Sequence, residues 1–318
     1  MIMKQIEIGK DKIKIPAIGL GCMRITGRDI KEAEALIKTA MENGANFFDH
    51  ADIYAKGEAE SFFAEAISMN PAIREKMILQ TKCAIKPRCC YDFSKEHIVS
   101  AVDGSLKRLK TDYVDFLLLH RPDALMEPEE VAEAFSSLEK QGKVRYFGVS
   151  NHNSYQIELL NKYCNNKVII NQLQFGLGHT GIIDSGINVN MVNQNGYDVA
   201  GGILEYCRLK DITVQAWSPF LSSVFKEVFL DNKKFPELNK ELNQMAEKYG
   251  VDNSAIATAW ILRHPARIQA IVGTTSAERL NSICKGADFE LTREEWYSLY
   301  MAAGKILPCQ RPASSAAE

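Results

Sequence analysis

The chain has no run of the roughly 20 apolar residues that a membrane-crossing helix needs, and no membrane partner is expected. Its opening MIMKQIEIGKDK has no apolar core of a signal peptide, and its last residues, SAAE, offer no cysteine for prenylation. The eight cysteines (Cys22, Cys83, Cys89, Cys90, Cys164, Cys207, Cys284 and Cys309) form no C-x-x-C pair, so the reading is reduced thiols and a cytoplasmic location. No basic block occurs, and 38 Lys+Arg against 40 Asp+Glu leave a net charge of −2, so a nucleic-acid partner has no electrostatic footprint. The six histidines include no pair at metal-ligand spacing on one helix, and no metal is expected. Gly19-Leu20-Gly21-Cys22-Met23-Arg24 ends in arginine where a dinucleotide fingerprint needs glycine, no P-loop is present, and Gly148-Val149-Ser150-Asn151-His152 lacks the last glycine of a nucleophile elbow. Rossmann, NTPase and serine-hydrolase readings are thereby excluded.

What is present is an ordinary folded composition, 46% hydrophobic, 25% charged and 9% aromatic over 318 residues. Residues 5–15, QIEIGKDKIKI, alternate isoleucines about a glycine turn and predict a small hairpin. Eight short apolar runs follow: AIGLG, ANFFD, MILQTK, YVDFLLLH, VRYFGVS, VIINQL, ITVQAWS and IQAIVG. Amphipathic stretches such as DIKEAEALIKTAMENG, SKEHIVSAVDGSLKRLK, EPEEVAEAFSSLEKQG and DNSAIATAWILRHP separate them. This is βα repeated eight times, and it closes either as a barrel or as an open doubly wound sheet. Polar residues arbitrate, because Asp49, Lys82, His120, Ser150 with Asn151, Gln172, Trp217 with Ser218, and Gly273 with Thr274 all fall at the C-terminal end of a different run. Convergence on one mouth requires an α/β fold of the (β/α)8 TIM-barrel class. No linker divides the chain, so residues 1–318 are read as one domain, decorated by the hairpin, a final helix in LTREEWYSLYMAAG and a polar tail over 305–318. The connections 176–199 and 219–235 are unusually long.

Four of these residues make a coherent chemistry. Singly, Asp49 reads as a turn residue, Tyr54 as a loop aromatic, Lys82 as a solvated strand end and His120 as a hydrogen-bonded core histidine. Brought together they are an acid–base set: hydride addition to a carbonyl develops an alkoxide, Tyr54 can protonate it, and an adjacent ammonium favours phenolate and tunes that acid downward. Asp49 would keep Lys82 charged and His120 would orient the carbonyl.

With D-H-A-D-x-Y, G-x-A-E, the strand-end T-K, L-L-L-H-R-P-D, G-K-V-R-Y-F-G-V-S-N, A-W-S-P and V-G-T-T-S-x-E-R-L in this order, the sequence resembles the aldo-keto reductases over about residues 5–290. The resemblance implies a catalytic tetrad at Asp49, Tyr54, Lys82 and His120. It implies cofactor contacts from Gly21, Cys22 and Met23, carboxamide contacts from Ser150, Asn151 and Gln172, a nicotinamide stack on Trp217, and pyrophosphate contacts from Ser218 and Phe220. The run Gly273-Thr274-Thr275-Ser276 precedes a helix and offers an anion site, and Arg279 matches the partner of the adenosine 2′-phosphate. On physical grounds alone Arg279 reads equally as a solvated helix charge and the hydroxyls as helix caps. NADPH is the implied cofactor, with NADH also admitted because Gly273 replaces a frequent lysine and Ile283 an adenine-binding asparagine.

Met23, Ile25, His50, Trp217 and the 176–199 connection are expected around a small carbonyl substrate. The chain is read as an NADPH-dependent reductase of aldehydes or ketones, a monomer or weak dimer. The alternative is a non-catalytic, NADPH-binding regulatory or redox-sensing barrel. A lyase using Lys82 as a Schiff base is disfavoured, since Asp49 favours the ammonium over the free amine.

Overall fold

Isoleucines at alternate positions zip the first two strands together: β1 (Gln5–Ile8) pairs antiparallel with β2 (Ile13–Pro16), placing Ile6 opposite Ile15 and Ile8 opposite Ile13. The computed structural model describes residues 3–165, 167–222 and 226–308. The hairpin lies against the N-terminal ends of the strands that follow, where Gly9 approaches Ile169 and Gln269 Nε2 donates to Pro16 O at 2.8 Å.

Each of the eight apolar runs becomes a strand of a closed parallel barrel. In chain order these are β3 (Ile18–Gly21), β4 (Phe47–Asp49) and β5 (Ile78–Cys83). A short antiparallel pair that the sequence pattern does not announce, β6 (Ile85–Lys86) and β7 (Cys90–Tyr91), stands beyond β5. The barrel continues with β8 (Val114–Leu119), β9 (Val144–Ser150), β10 (Val168–Gln174), β11 (Thr213–Trp217) and β12 (Gln269–Val272), and closes by pairing β12 with β3. Gly19 keeps that seam uncrowded, because a Cβ there would sit 3.0 Å from side-chain carbons of both Ile271 and Phe47.

The outer helices follow their caps and stripes. Asp29 caps the helix Ile30–Glu42, whose Ala33, Leu36, Ile37 and Ala40 face the barrel. The helix Asn253–Leu262 departs from the expected amphipathic pattern: Ser254 through Leu262 are all buried, packed among the helices Pro236–Tyr249 and Ala277–Cys284 and the turn Lys285–Ala287, with the C-terminal helix reaching its Trp260. That last helix, Arg293–Ala302, starts with a Thr292/Glu295 capping box and docks through Trp296, whose ring lies 4.8 Å from that of Trp260 at an interplanar angle of 7°. Each indole N–H donates to the other residue's carbonyl, both at 3.0 Å.

The connection 176–199 is not structureless, since it holds the helix Gly181–Ile187. Tyr300 Oη donates to Asp184 Oδ1 at 2.8 Å and Asn188 Nδ2 to Ile306 O at 3.3 Å, so the start of the expected tail packs on this segment. Residues 309–318 of that tail lie outside the described residues.

Candidate active site

Strand alternation decides which side chains reach the barrel mouth. At the end of β4, Asp49 points inward and the next residue, His50, points outward. On β5, Gln80 and Lys82 share the inward face. Lys82 has no exposed surface and gives one N–H each to Asp49 Oδ2 at 2.8 Å, His50 O at 2.8 Å and Tyr54 Oη at 3.1 Å. An ammonium has three hydrogens and no acceptor, so all three are spent and the tyrosine oxygen is the acceptor. Its own proton is therefore directed elsewhere. Tyr54 stands on a 3-10 turn, Tyr54–Gly57, and its ring meets that of His120 edge-on at 5.9 Å. The four tetrad residues are thus brought together at the ends of β4, β5 and β8.

The electrostatics favour a charged lysine and a neutral imidazole. Burial alone disfavours the Lys82 ammonium, but the Asp49 charge, with Tyr54 and their hydrogen bonds, holds it above its ordinary range. This favours the ammonium over the free amine that imine chemistry needs and counts against the Schiff-base reading. His120 is held well below its usual range by burial, helped by Lys82 and Arg121, so it carries a single N–H to donate near neutral pH. For Tyr54 two effects oppose each other, and that of Lys82 has the expected sign. Burial pushes the phenol above its ordinary value and Asp49 adds to this, while Lys82 pulls it back without overcoming them. The ammonium offsets the burial of the acid and does not bring it below the usual tyrosine range.

Beneath the tetrad is a layer of amides. Asp49 Oδ1 accepts from Gln80 Nε2 at 2.6 Å and from Gln172 Nε2 at 3.1 Å, and both nitrogens also reach Gln215 Oε1, at 2.9 and 3.0 Å. Gln172, expected on a carboxamide, therefore has its amide nitrogen committed inside the barrel. Gln80, Gln215 and Gln269 were not among the expected site residues, although a readable signal marks them: each is a polar residue inside an apolar run, and Gln80 and Gln215 sit two positions before Lys82 and Trp217.

At the rim, Trp217 Nε1 donates to Asn151 Oδ1 at 3.2 Å, Asn151 Nδ2 to Ser150 Oγ at 2.7 Å, and Ser150 Oγ to Gln172 O at 2.9 Å. Asn151 has φ of 61°, a conformation asparagine tolerates better than most residues. Met23 is exposed, but the Cys22 thiol is buried and its amide donates to Asp49 O at 2.8 Å. Burial pushes the thiols of Cys22 and Cys83 well up, as inert packing requires. Two residues expected around the substrate are buried. His50 is fully buried against Phe63, 4.6 Å away, and burial lowers it to about 3; Ile25 belongs to the core. Alternation after Asp49 accounts for His50.

The loop Gly273–Ser276 leads into the helix Ala277–Cys284, and Ser276 Oγ caps it by accepting from Arg279 N at 3.2 Å. The cap reading of that hydroxyl is the observed one. Arg24 and Arg28 donate to the carbonyls of Gly273 and Thr275. Among the described residues neither has a carboxylate within ion-pair distance, nor has the exposed Arg279, and Arg28 Nε is buried with no partner. Ile283 is buried in the core. The connections 176–199 and 219–235 touch here: a Cβ on Gly176 would lie 2.1 Å from Pro219 O, and one on Gly178 2.6 Å from Leu221 O. Ser218 and Phe220 flank that crossing.

Comparison with known proteins agrees with this geometry. The Aldo/keto reductase family matches residues 17–300. The chain is 34% identical to the uncharacterized oxidoreductase YcsN of Bacillus subtilis, covering 94% of this chain and 98% of that protein. It is 32% identical to a 6-dehydroglucose reductase of Novosphingobium aromaticivorans, over 95% of this chain and 96% of the relative. A solved aldo-keto reductase from Klebsiella pneumoniae in complex with NADPH superposes with a TM-score of 0.76 at 25% identity, covering 96% and 97% of the two chains. A closed barrel with Asp, Tyr, Lys and His meeting at its mouth, and a match that runs through every barrel strand, lead to one conclusion: the chain belongs to the aldo/keto reductase family.

Proposed function

We propose that the protein reduces an aldehyde or ketone to an alcohol with NADPH, using Tyr54 as the proton donor. The observation that carries this reading is the exhausted Lys82 ammonium, which binds Asp49, a backbone carbonyl and the tyrosine oxygen and leaves the phenolic proton free for a substrate. The rim fits a phosphorylated dinucleotide: three arginines without carboxylate partners surround a helix N-terminus, and Trp217 offers an indole face beside Asn151. When bound, the nicotinamide supplies the hydride. Trp217, Asn151 and Ser150 would hold that ring, Arg279 with the Gly273–Ser276 loop the phosphates, and Ser218 and Phe220 the segment between.

The chain's own residues then do the following. Neutral His120 donates its N–H to the carbonyl oxygen and fixes its direction. Tyr54 delivers its proton to that oxygen as charge develops there, and the adjacent Lys82 ammonium stabilises the phenolate that remains. Asp49 keeps the ammonium in place and neutralises it between turnovers. A non-catalytic regulatory barrel would not require this arrangement, although two more distant relatives, at 26% and 28% identity, are described as potassium channel beta subunits.

An NADPH-oxidation assay over aldehydes, ketones, dicarbonyls and oxidised sugars tests the reading, the last class because two relatives are 6-dehydroglucose reductases. Tyr54→Phe should lower turnover by roughly 10²- to 10⁴-fold, the usual worth of positioned proton transfer, with NADPH affinity unchanged. Near wild-type reduction by that variant would eliminate the mechanism, and no turnover across the whole panel would favour the regulatory barrel.

A further inference from the structure

The interior of a barrel of this class is ordinarily filled by branched apolar side chains. Here Gln80, Gln215 and Gln269 are completely buried in it, with Gln172 nearly so. Their hydrogen bonds form a single directed chain. Gln269 Nε2 donates to Pro16 O at 2.8 Å, so its oxygen is left to accept from Gln215 Nε2 at 2.8 Å. Gln215 Nε2 gives its second hydrogen to Gln80 Oε1 at 3.1 Å, and Gln215 Oε1 accepts from both Gln80 and Gln172. Gln80 and Gln172 then spend their remaining hydrogens on Asp49 Oδ1. A primary amide has two hydrogens, so Gln80, Gln172 and Gln215 have none to spare. Turning the Gln80 amide over would set its oxygen against both the Asp49 carboxylate and the Gln215 oxygen. The Pro16 carbonyl, which cannot turn over, thereby fixes the sense of every amide up to the carboxylate.

We propose that Gln80 is a positioning residue for carbonyl reduction: locked by Gln215, its amide nitrogen holds Asp49 Oδ1, so that Oδ2 keeps the Lys82 ammonium on the tyrosine oxygen. This rests on the tetrad reading above and goes beyond it, because Gln80 acts through Asp49 and never meets substrate. Without the Gln80 donor, Asp49 Oδ1 is left with the longer bond from Gln172 at 3.1 Å, the carboxylate is held less firmly, the ammonium follows its counter-ion, and the phenol's hydrogen bond and the charge that offsets its burial both weaken.

The test compares wild type, Gln80→Met, Gln80→Glu and Tyr54→Phe in NADPH-dependent reduction of the best aldehyde from the panel between pH 5 and 9. NADPH affinity is measured by fluorescence alongside. Gln80→Met should lose about tenfold or more in kcat, the worth of one hydrogen bond to a charged group, with NADPH affinity unchanged. In Gln80→Glu a carboxylate would face Asp49 at high pH, but its protonated form donates to Oδ1 again, so kcat should recover as pH falls. A space-filling role predicts no such recovery. A folded Gln80→Met enzyme with wild-type kcat, or a Gln80→Glu profile that parallels wild type, overturns the proposal. Should Gln80→Met not fold, the volume-conserving Gln80→Glu profile decides. An active Tyr54→Phe enzyme overturns the tetrad reading and this proposal with it, whereas an inactive one beside fully active Gln80 variants overturns this proposal alone.

Discussion

Lys82 is a cation with no exposed surface, and a buried charge persists only where partners replace its hydration. It has three, and Asp49 is the charged one. Arg279 is the opposite case: exposed, without a carboxylate within ion-pair distance among the described residues, and three positions beyond the Ser276 cap of the helix Ala277–Cys284. Arg279→Ala should weaken NADPH by roughly 1.5–3 kcal/mol, the range for a hydrogen bond to a charged group, and leave NADH binding nearly unchanged. Equal losses for both dinucleotides would show that the 2′-phosphate lies elsewhere. Asp52 gives a prediction about stability. Burial, with the nearby Glu60 charge, raises its carboxyl to about 7, against an unfolded value of 3.8. The folded chain therefore holds this proton more tightly, and the associated stability is full below about pH 4 and lost as pH rises through 7. Asp52→Asn cannot ionise, so its melting temperature should gain on wild type between pH 5 and pH 8; a constant difference would refute the assignment. His50 acts in the other direction, losing stability as pH falls from 6.5 toward its folded value of about 3.

At the scale of elements, two long connections are joined at the mouth by glycines where the backbones meet. Gly176→Ala would drive a Cβ into Pro219 O and displace the Ser218–Phe220 segment. The expected outcome is a clear loss of NADPH affinity with a smaller change in melting temperature, checked by fluorescence titration and calorimetry; unchanged affinity would mean that this segment does not touch the cofactor. All eight barrel strands were legible as short apolar runs, and seven of them end at or beside a residue suited to the mouth, the exception being the first, which ends at Gly21. The hairpin was legible from isoleucine alternation and the last helix from the stretch LTREEWYSLYMAAG. Other features were not, for identifiable reasons. The pair β6 and β7 is only two residues per strand, too short for any period to show. The helix Gly181–Ile187 contains two glycines and is held by tertiary bonds to Tyr300 and the chain end, not by its own propensity. His50 follows Asp49 directly, and strand alternation sends adjacent residues to opposite sides, so its ring packs on Phe63.

For the whole molecule, the convergence of Asp49, Tyr54, Lys82 and His120 is the part that sequence resolves best, since three of them stand at the ends of barrel strands and Tyr54 follows Asp49 by five residues. The amide layer escapes because glutamine inside a strand signals burial only once its partners on other strands are known. Large apolar residues exposed on the surface concentrate in one segment, Val189 to Val199, and are otherwise scattered. Light scattering should give a monomer near 35.6 kDa, with at most weak dimerisation at high concentration; a concentration-independent tetramer would contradict this. The stacked Trp260–Trp296 pair also has an optical meaning. Two of the chain's three tryptophans lie parallel at 4.8 Å, close enough for their transition dipoles to couple, while the third, Trp217, stands at the rim. A coupled near-ultraviolet dichroism band would then belong to the seating of the last helix, and changes in emission on adding dinucleotide to Trp217. One unlabelled sample thus carries separate spectroscopic channels for the integrity of the barrel and the occupancy of its mouth.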